Sequence, residues 1–308
     1  MKKGFGFILF VLTLSVLGVA CTQESSSSVA TDDVTSTVET PEDEATKPGE
    51  QIAEPVEETT GAETGSAPEE TTIVEETTEV PEPKHIRILF QGDSITDSGR
   101  NYSDFYDLGS GYVKDTATML TRDFPNVEFE FINVGISASR TEDLLDRMQK
   151  EAIALQPDIV SILIGINDVC HRYCNGRPYN TDEKIEENYR AILEQLRQQT
   201  NAKIIVIAPF FLDGFEEGIF SSVIATDSAT LQQDTVRVAE IVRKLAEEYA
   251  DVYIPMDEYF AEALSNQLKP RYYTDDSIHP NSRGHRLLAN AYVDAAATLI
   301  DQILQSED

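Results

Sequence analysis

The chain has 308 residues, with 24 Lys and Arg against 55 Asp and Glu, for a formal charge of -31. So acidic a balance argues against nucleic acid as a partner, because its phosphates would be repelled, and disfavours strongly anionic lipid. The length could hold two ordinary domains, but the composition divides unevenly and predicts one folded domain over 85–308.

Lys2 and Lys3 precede an apolar run from Phe5 to Ala20 that is too short to span a bilayer comfortably, the build of a secretory signal peptide over 1–20. The stretch Leu17-Gly18-Val19-Ala20-Cys21 resembles a bacterial lipoprotein signal, although Gly18 stands where Leu is commonest. That resemblance implies that Cys21 is acylated and holds the protein to a membrane. Ordinary cleavage with full secretion is the alternative, and either one puts the protein outside the cytoplasm. Residues 21–84 are rich in Ser, Thr, Glu and Pro, and 22–84 holds 18 acidic and 2 basic residues. Too few apolar side chains occur there to offset the entropy of ordering, so a disordered tether is expected. A flexible chain of this length spans on the order of 45 Å, and Pro and like charges stretch it further. From His85 onward the net charge is -17, which suits a neutral substrate.

The folded region alternates strand and helix. The apolar run Ile86 to Phe90 breaks at Gly92-Asp93-Ser94, which reads as a buried strand ending in a tight turn that delivers Ser94 to a sheet edge. Val113, Ala117, Leu120 and Phe124 fall at helical spacing, and Val127 to Val134 reads as a strand ending at Gly135. Ser139-Arg140-Thr141-Glu142 has the form of a capping box opening a helix with Leu145, Met148, Ala152 and Leu155 on one face. Ile159 to Ile164 is a nearly continuous apolar strand, of the kind covered on both faces, and it runs into Gly165-Ile166-Asn167-Asp168. A helix through Ile185, Tyr189, Ile192 and Leu196 follows, then a strand over 204–208 and a helix through Val238, Val242, Leu245 and Tyr249. Val252 to Ile254 is a short last strand, and a long helix occupies about 284–300. Repeated strand and helix units with right-handed crossovers predict a three-layer α/β/α sandwich around a central parallel sheet.

Ser94 is the nucleophile candidate, and its hydroxyl needs a base and oxyanion donors to act. Gly92-Asp93-Ser94, Asn133-Val134-Gly135, Gly165-Ile166-Asn167-Asp168 and Asp276-Ser277-Ile278-His279-Pro280 occur in an order and at a rough spacing that resemble the SGNH or GDSL hydrolases. The resemblance covers nearly all of 85–304 and implies the flavodoxin-like fold of that family. It marks His279 as the base and Asp276 as its orienting carboxylate, with Ser94 N–H, Gly135 N–H and the Asn167 side-chain amide as oxyanion donors. Stretches such as Leu108-Gly109-Ser110-Gly111-Tyr112 and Ile164 to Val169 are similar to the branch that includes acetylxylan esterases. That branch implies removal of acetyl groups from oligo- or polysaccharide hydroxyls with no metal or organic cofactor.

The branch often carries a Trp where this chain has Cys170, and the chain has no Trp, so a platform for a sugar ring has to come from residues such as Tyr112, Tyr173 or Phe211. A lipid esterase with an apolar channel near Phe210-Phe211-Leu212 or Gly218-Ile219-Phe220 is the rival reading, and a surface binding protein with an inactive site is a further one. Cys170 and Cys174 are expected to pair as a loop clasp, to stay as thiols, or to join His171 in a metal site. Oligomeric state is not legible.

Overall fold

The computed structural model describes residues 83–212, 224, 226–265 and 268–306, all within the compact unit Glu75–Asp308. The expected signal peptide, Cys21 and all of the expected tether before Pro83 lie outside the described residues, as does Gly218-Ile219-Phe220. Five parallel strands form one sheet: β1 (Lys84–Gly92), β2 (Val127–Asn133), β3 (Ile159–Leu163), β4 (Lys203–Ile207) and β5 (Val252–Ile254). Their order is β2-β1-β3-β4-β5. The chain therefore steps outward from β1 to β2 and then reverses to β3 on the other side. Such a reversal opens a crevice at the carboxyl ends of the strands, where ligands of open α/β sheets bind.

The sequence explains the order. All five residues of β3 are buried, as is the run from Ile88 to Gly92 in β1, which fits strands that have a neighbour on each side and helices on both faces. β2 lies at the edge and is only partly buried, with Phe129 and Phe131 packed against the core and Glu130 taking an ion pair from Arg87 at 2.6 Å. Ser161 in the middle of β3 is buried without penalty because its hydroxyl donates to the Leu89 carbonyl at 3.2 Å.

The long helices α2 (Tyr112–Asp123), α3 (Thr141–Glu151), α5 (Asp182–Gln199), α6 (Ser228–Tyr249) and α8 (Ser282–Ser306) flank the sheet. α2 packs on α8, and α5 packs against both α3 and α6. Three shorter helices were not foreseen in the sequence: α1 (Ser94–Asp97), α4 (Ile166–His171) and α7 (Met256–Ser265). Two of them begin with a residue expected at the site or next to one. The expected capping box is not formed: Arg140 rather than Ser139 is the N-cap of α3, its guanidinium offers no acceptor, and only the N3 half remains, with Asp143 accepting the Arg140 N–H at 2.9 Å. The buried face of α3 is accordingly Leu144 and Met148, while Leu155 falls in a separate 3₁₀ turn, Ile153–Leu155.

Candidate active site

Ser94 is the first residue of α1, separated from the end of β1 by Asp93 alone. Asp93 caps this turn by accepting the Ile95 N–H at 3.0 Å, so the nucleophile candidate sits on a strand-to-helix corner. Asp93 is fully buried, and burial pushes its carboxyl up to about 7 against the opposing pull of the Ile95 N–H. Asn167 occupies the corresponding place after β3, second in α4. Gly165 makes that corner possible, with φ at +130°, a conformation that a residue bearing a Cβ rarely adopts.

His279 and Asp276 come from the loop before α8. This loop folds on itself: Asp276 Oδ1 accepts the N–H groups of Ile278 at 2.9 Å and His279 at 2.7 Å, and the Thr274 hydroxyl donates to the His279 carbonyl at 2.7 Å. The Leu212 N–H, beyond β4, donates to the Ser277 carbonyl at 2.9 Å and fastens the loop to the sheet edge. Both side chains are thereby fixed by one local motif.

The side chains meet in a line. Ser94 Oγ lies 2.9 Å from His279 Nε2, and His279 Nδ1 lies 2.6 Å from Asp276 Oδ2. With the Nδ1 proton committed to the carboxylate, Nε2 is left to accept the Ser94 proton. Burial works to raise the Asp276 carboxyl, but the imidazole and the two backbone N–H groups outweigh it and hold it below the usual range. For His279 burial works downward, and the Asp276 hydrogen bond and charge more than reverse it, so the imidazole is raised above its ordinary value.

Of the three expected oxyanion donors, one is engaged elsewhere. The Gly135 N–H donates to Asn133 Oδ1 at 2.9 Å in a buried turn, which leaves it no proton for a substrate oxygen in this conformation. Its missing Cβ serves a different close approach, because a Cβ there would lie 2.4 Å from the Asp97 nitrogen, against the backbone of α1. The same loop continues into a turn closed by the Ser139 N–H and the Ile136 carbonyl at 3.2 Å, in which Ala138 has φ at +64°. Among the described residues, the N–H groups of Ser94 and Ala138 meet no protein acceptor. Asn167 Nδ2 reaches this turn at the Ser139 carbonyl, 3.1 Å away, and keeps a second amide proton.

Two residues of the motif blocks that were given no role in the sequence support the site from behind. Asn133 is fully buried and satisfied, donating through Nδ2 to the carbonyls of Thr96 at 2.8 Å and Leu108 at 3.2 Å. Asp168, beside Asn167, accepts from the Thr141 N–H at 3.0 Å, the Thr141 hydroxyl at 2.8 Å and Asn180 at 2.8 Å, locking α4 to the start of α3. Cys170 and Cys174 are not joined as a disulfide, and no group of three metal-binding side chains gathers among the described residues. Tyr112 and Phe211 are buried, and the Tyr173 hydroxyl is held by Asp234 at 2.7 Å. The ring exposed beside the Ser137 turn is instead Tyr102, 52% accessible, with its hydroxyl on Asp97 Oδ2 at 2.6 Å and the Arg100 guanidinium 4.9 Å from its centre.

Residues 90–287 match the model of the GDSL-like lipase/acylhydrolase family. An acetylxylan esterase of Geobacillus stearothermophilus is 32% identical over 215 residues, 67% of this chain and 92% of that protein. The crystal structure of Axe2, an acetylxylan esterase from the same organism, superposes with a TM-score of 0.60 at 29% identity, covering 70% of this chain and 95% of that one. LAE5, an alpha/beta hydrolase enzyme from the metagenome of Lake Arreo, gives 0.60 at 26% identity over 70% and 96% of the two chains. A five-stranded parallel sheet flanked by helices is thus shared with hydrolases of known structure. The chain belongs to the GDSL-like lipase/acylhydrolase family and is an ester hydrolase of the SGNH type related to acetylxylan esterases.

Proposed function

We propose that the protein is a serine esterase that removes acetyl groups from carbohydrate hydroxyls through Ser94, His279 and Asp276. The observation that carries the reading is the continuous line from Ser94 Oγ through His279 Nε2 and Nδ1 to Asp276 Oδ2, at 2.9 and 2.6 Å. Ser94 Oγ attacks the acyl carbon while His279 takes its proton; the tetrahedral intermediate then collapses, and His279 returns the proton to the departing sugar hydroxyl. Water, activated by the same imidazole, cleaves the acetyl-Ser94 ester to acetate and restores the hydroxyl. The developing oxyanion is met by the N–H of Ser94, the Asn167 amide and, in the revised assignment, the Ala138 N–H.

Acetyl specificity is supported by the acetylxylan esterase relatives and by the burial of Phe210, Phe211 and Leu212, which leaves these side chains in the core rather than along an acyl channel. Tyr102 is our candidate for the sugar platform. Its hydroxyl is tied down and its ring is half exposed, so a pyranose ring could stack on it at little ordering cost. Replacing Tyr102 with Leu should raise KM for acetylated xylo-oligosaccharide about fivefold or more while leaving aryl acetate hydrolysis near normal. The signal ending at Cys21 and the acidic stretch after it further suggest an enzyme tethered outside the cytoplasm by a lipid anchor.

The decisive test is hydrolysis by the 85–308 domain of aryl esters from acetyl to palmitoyl, with Ser94→Ala in parallel. A rate that falls steeply beyond the shortest acyl chains and vanishes in the variant supports the reading. Preference for long chains would replace it with a lipid esterase, and silence on every ester would favour a binding protein.

A further inference from the structure

Arg147 projects from α3 beneath the loop that carries Ala138 and Ser139, and its side chain is only 13% exposed. Its Nη1 donates to the Ser139 hydroxyl at 2.7 Å, and its Nη2 donates to the Gly92 carbonyl at 3.0 Å. Glu151, one turn further along α3, balances the charge from 2.9 Å. Gly92 ends β1 two residues before Ser94, and its carbonyl also accepts the Ile136 N–H at 3.1 Å. Ser139 is the residue whose carbonyl receives Asn167 Nδ2 at 3.1 Å. One planar guanidinium therefore fastens the strand that delivers the nucleophile to the turn that receives the oxyanion amide. A guanidinium has the rigid fork needed to hold two acceptors at a fixed separation, whereas an ammonium is a single point on a flexible stem.

We infer that Arg147 is a positioning residue for the transition state, setting the distance between the Ser94 corner and the Ser139–Asn167 couple. The inference rests on the esterase reading above. It touches no substrate and takes no proton; its effect is to keep the donors where the oxyanion forms, and a misplacement of about 1 Å can cost on the order of 100-fold in rate. Its effect should therefore appear in kcat rather than in KM.

The experiment is steady-state kinetics on 4-nitrophenyl acetate for Arg147→Lys and Arg147→Gln, each alone and combined with Asn167→Ala, with Ser94→Ala as the reference. The expected result is a kcat reduced about 10-fold to 100-fold with KM changed less than about threefold, and a much smaller further loss once Asn167 is absent. Unchanged kcat, a change in KM alone, or losses that simply multiply with that of Asn167→Ala would overturn it. Should the Arg147 variants fail to fold, Ser139→Ala removes one partner and leaves α3 intact; it should lower kcat several-fold, and full activity would overturn the inference. Retained activity in Ser94→Ala would instead strike the esterase reading itself, a separate outcome.

Discussion

Asn167 carries the sharpest expectation at the scale of single residues. In the proposed mechanism its free amide proton acts when negative charge builds on the carbonyl oxygen, so Asn167→Ala should lower kcat about 100-fold to 1000-fold with KM nearly unchanged, as read by initial rates on an aryl acetate. In the proposed mechanism His279 sets the pH dependence. It must be neutral to accept the Ser94 proton, and Asp276 raises its pKa above the ordinary imidazole value against the downward pull of burial. The acidic limb of kcat/KM should thus lie above the pH at which a free imidazole titrates. In Asp276→Asn the raising charge is gone, so the limb should move to lower pH as the rate collapses; a pH-rate profile of both enzymes checks the sign.

At the scale of elements, α2 depends on a side chain far away in sequence. The Tyr112 N–H, an orphan donor at the start of the helix, donates to His285 Nδ1 from α8 at 3.1 Å. Burial, with the charge of His279 adding to it, lowers the His285 pKa to about 4, well below its unfolded value near 6.5. A folded pKa below the unfolded one means that the unfolded chain binds the proton more readily. This contribution to stability is therefore complete above about pH 6.5 and is lost as the pH falls toward 4. Replacing His285 with Leu should cost roughly 1 kcal/mol near neutrality and flatten the fall in Tm over that range, as measured by thermal unfolding across pH.

The same scale explains what could be read in advance. β3 and β4 were legible because they are nearly continuous apolar runs, interrupted only by Ser161 and opened by Lys203, and α5 because Ile185, Tyr189, Ile192 and Leu196 repeat at helical spacing. α1 and α4 were not, since one or two turns are too short to display a period and owe their form to Asp93 and Gly165. The residues Ser94, Asn167, Asp276 and His279 stood out because each falls at a strand end or in a compact loop with its own short pattern. Arg147 and His285 did not, and Asn133 stood out only as part of a block with no role of its own, because each acts through a partner brought near only by folding. Gly135 was expected as an oxyanion donor, but its N–H goes to Asn133 and its missing Cβ admits the backbone of α1: a glycine announces a close approach without saying what approaches.

At the scale of the whole molecule, the sequence of the hydrolase region is preceded by a long acidic stretch and an apolar run that we propose to be a signal. If Cys21 is the acylated residue, metabolic labelling with palmitate should mark the full-length protein, and Cys21→Ser should abolish the label and release the protein into the medium. Label retained in that variant would remove Cys21 as the anchor. The account as a whole turns on whether Ser94 is the nucleophile. The most direct measurement is mass spectrometry of the protein after inactivation by a fluorophosphonate, which forms a stable covalent bond with an activated serine. We predict one adduct per chain, on Ser94, appearing in step with the loss of esterase activity and absent from Ser94→Ala. An adduct on another residue, or full activity with Ser94 blocked, would contradict the account.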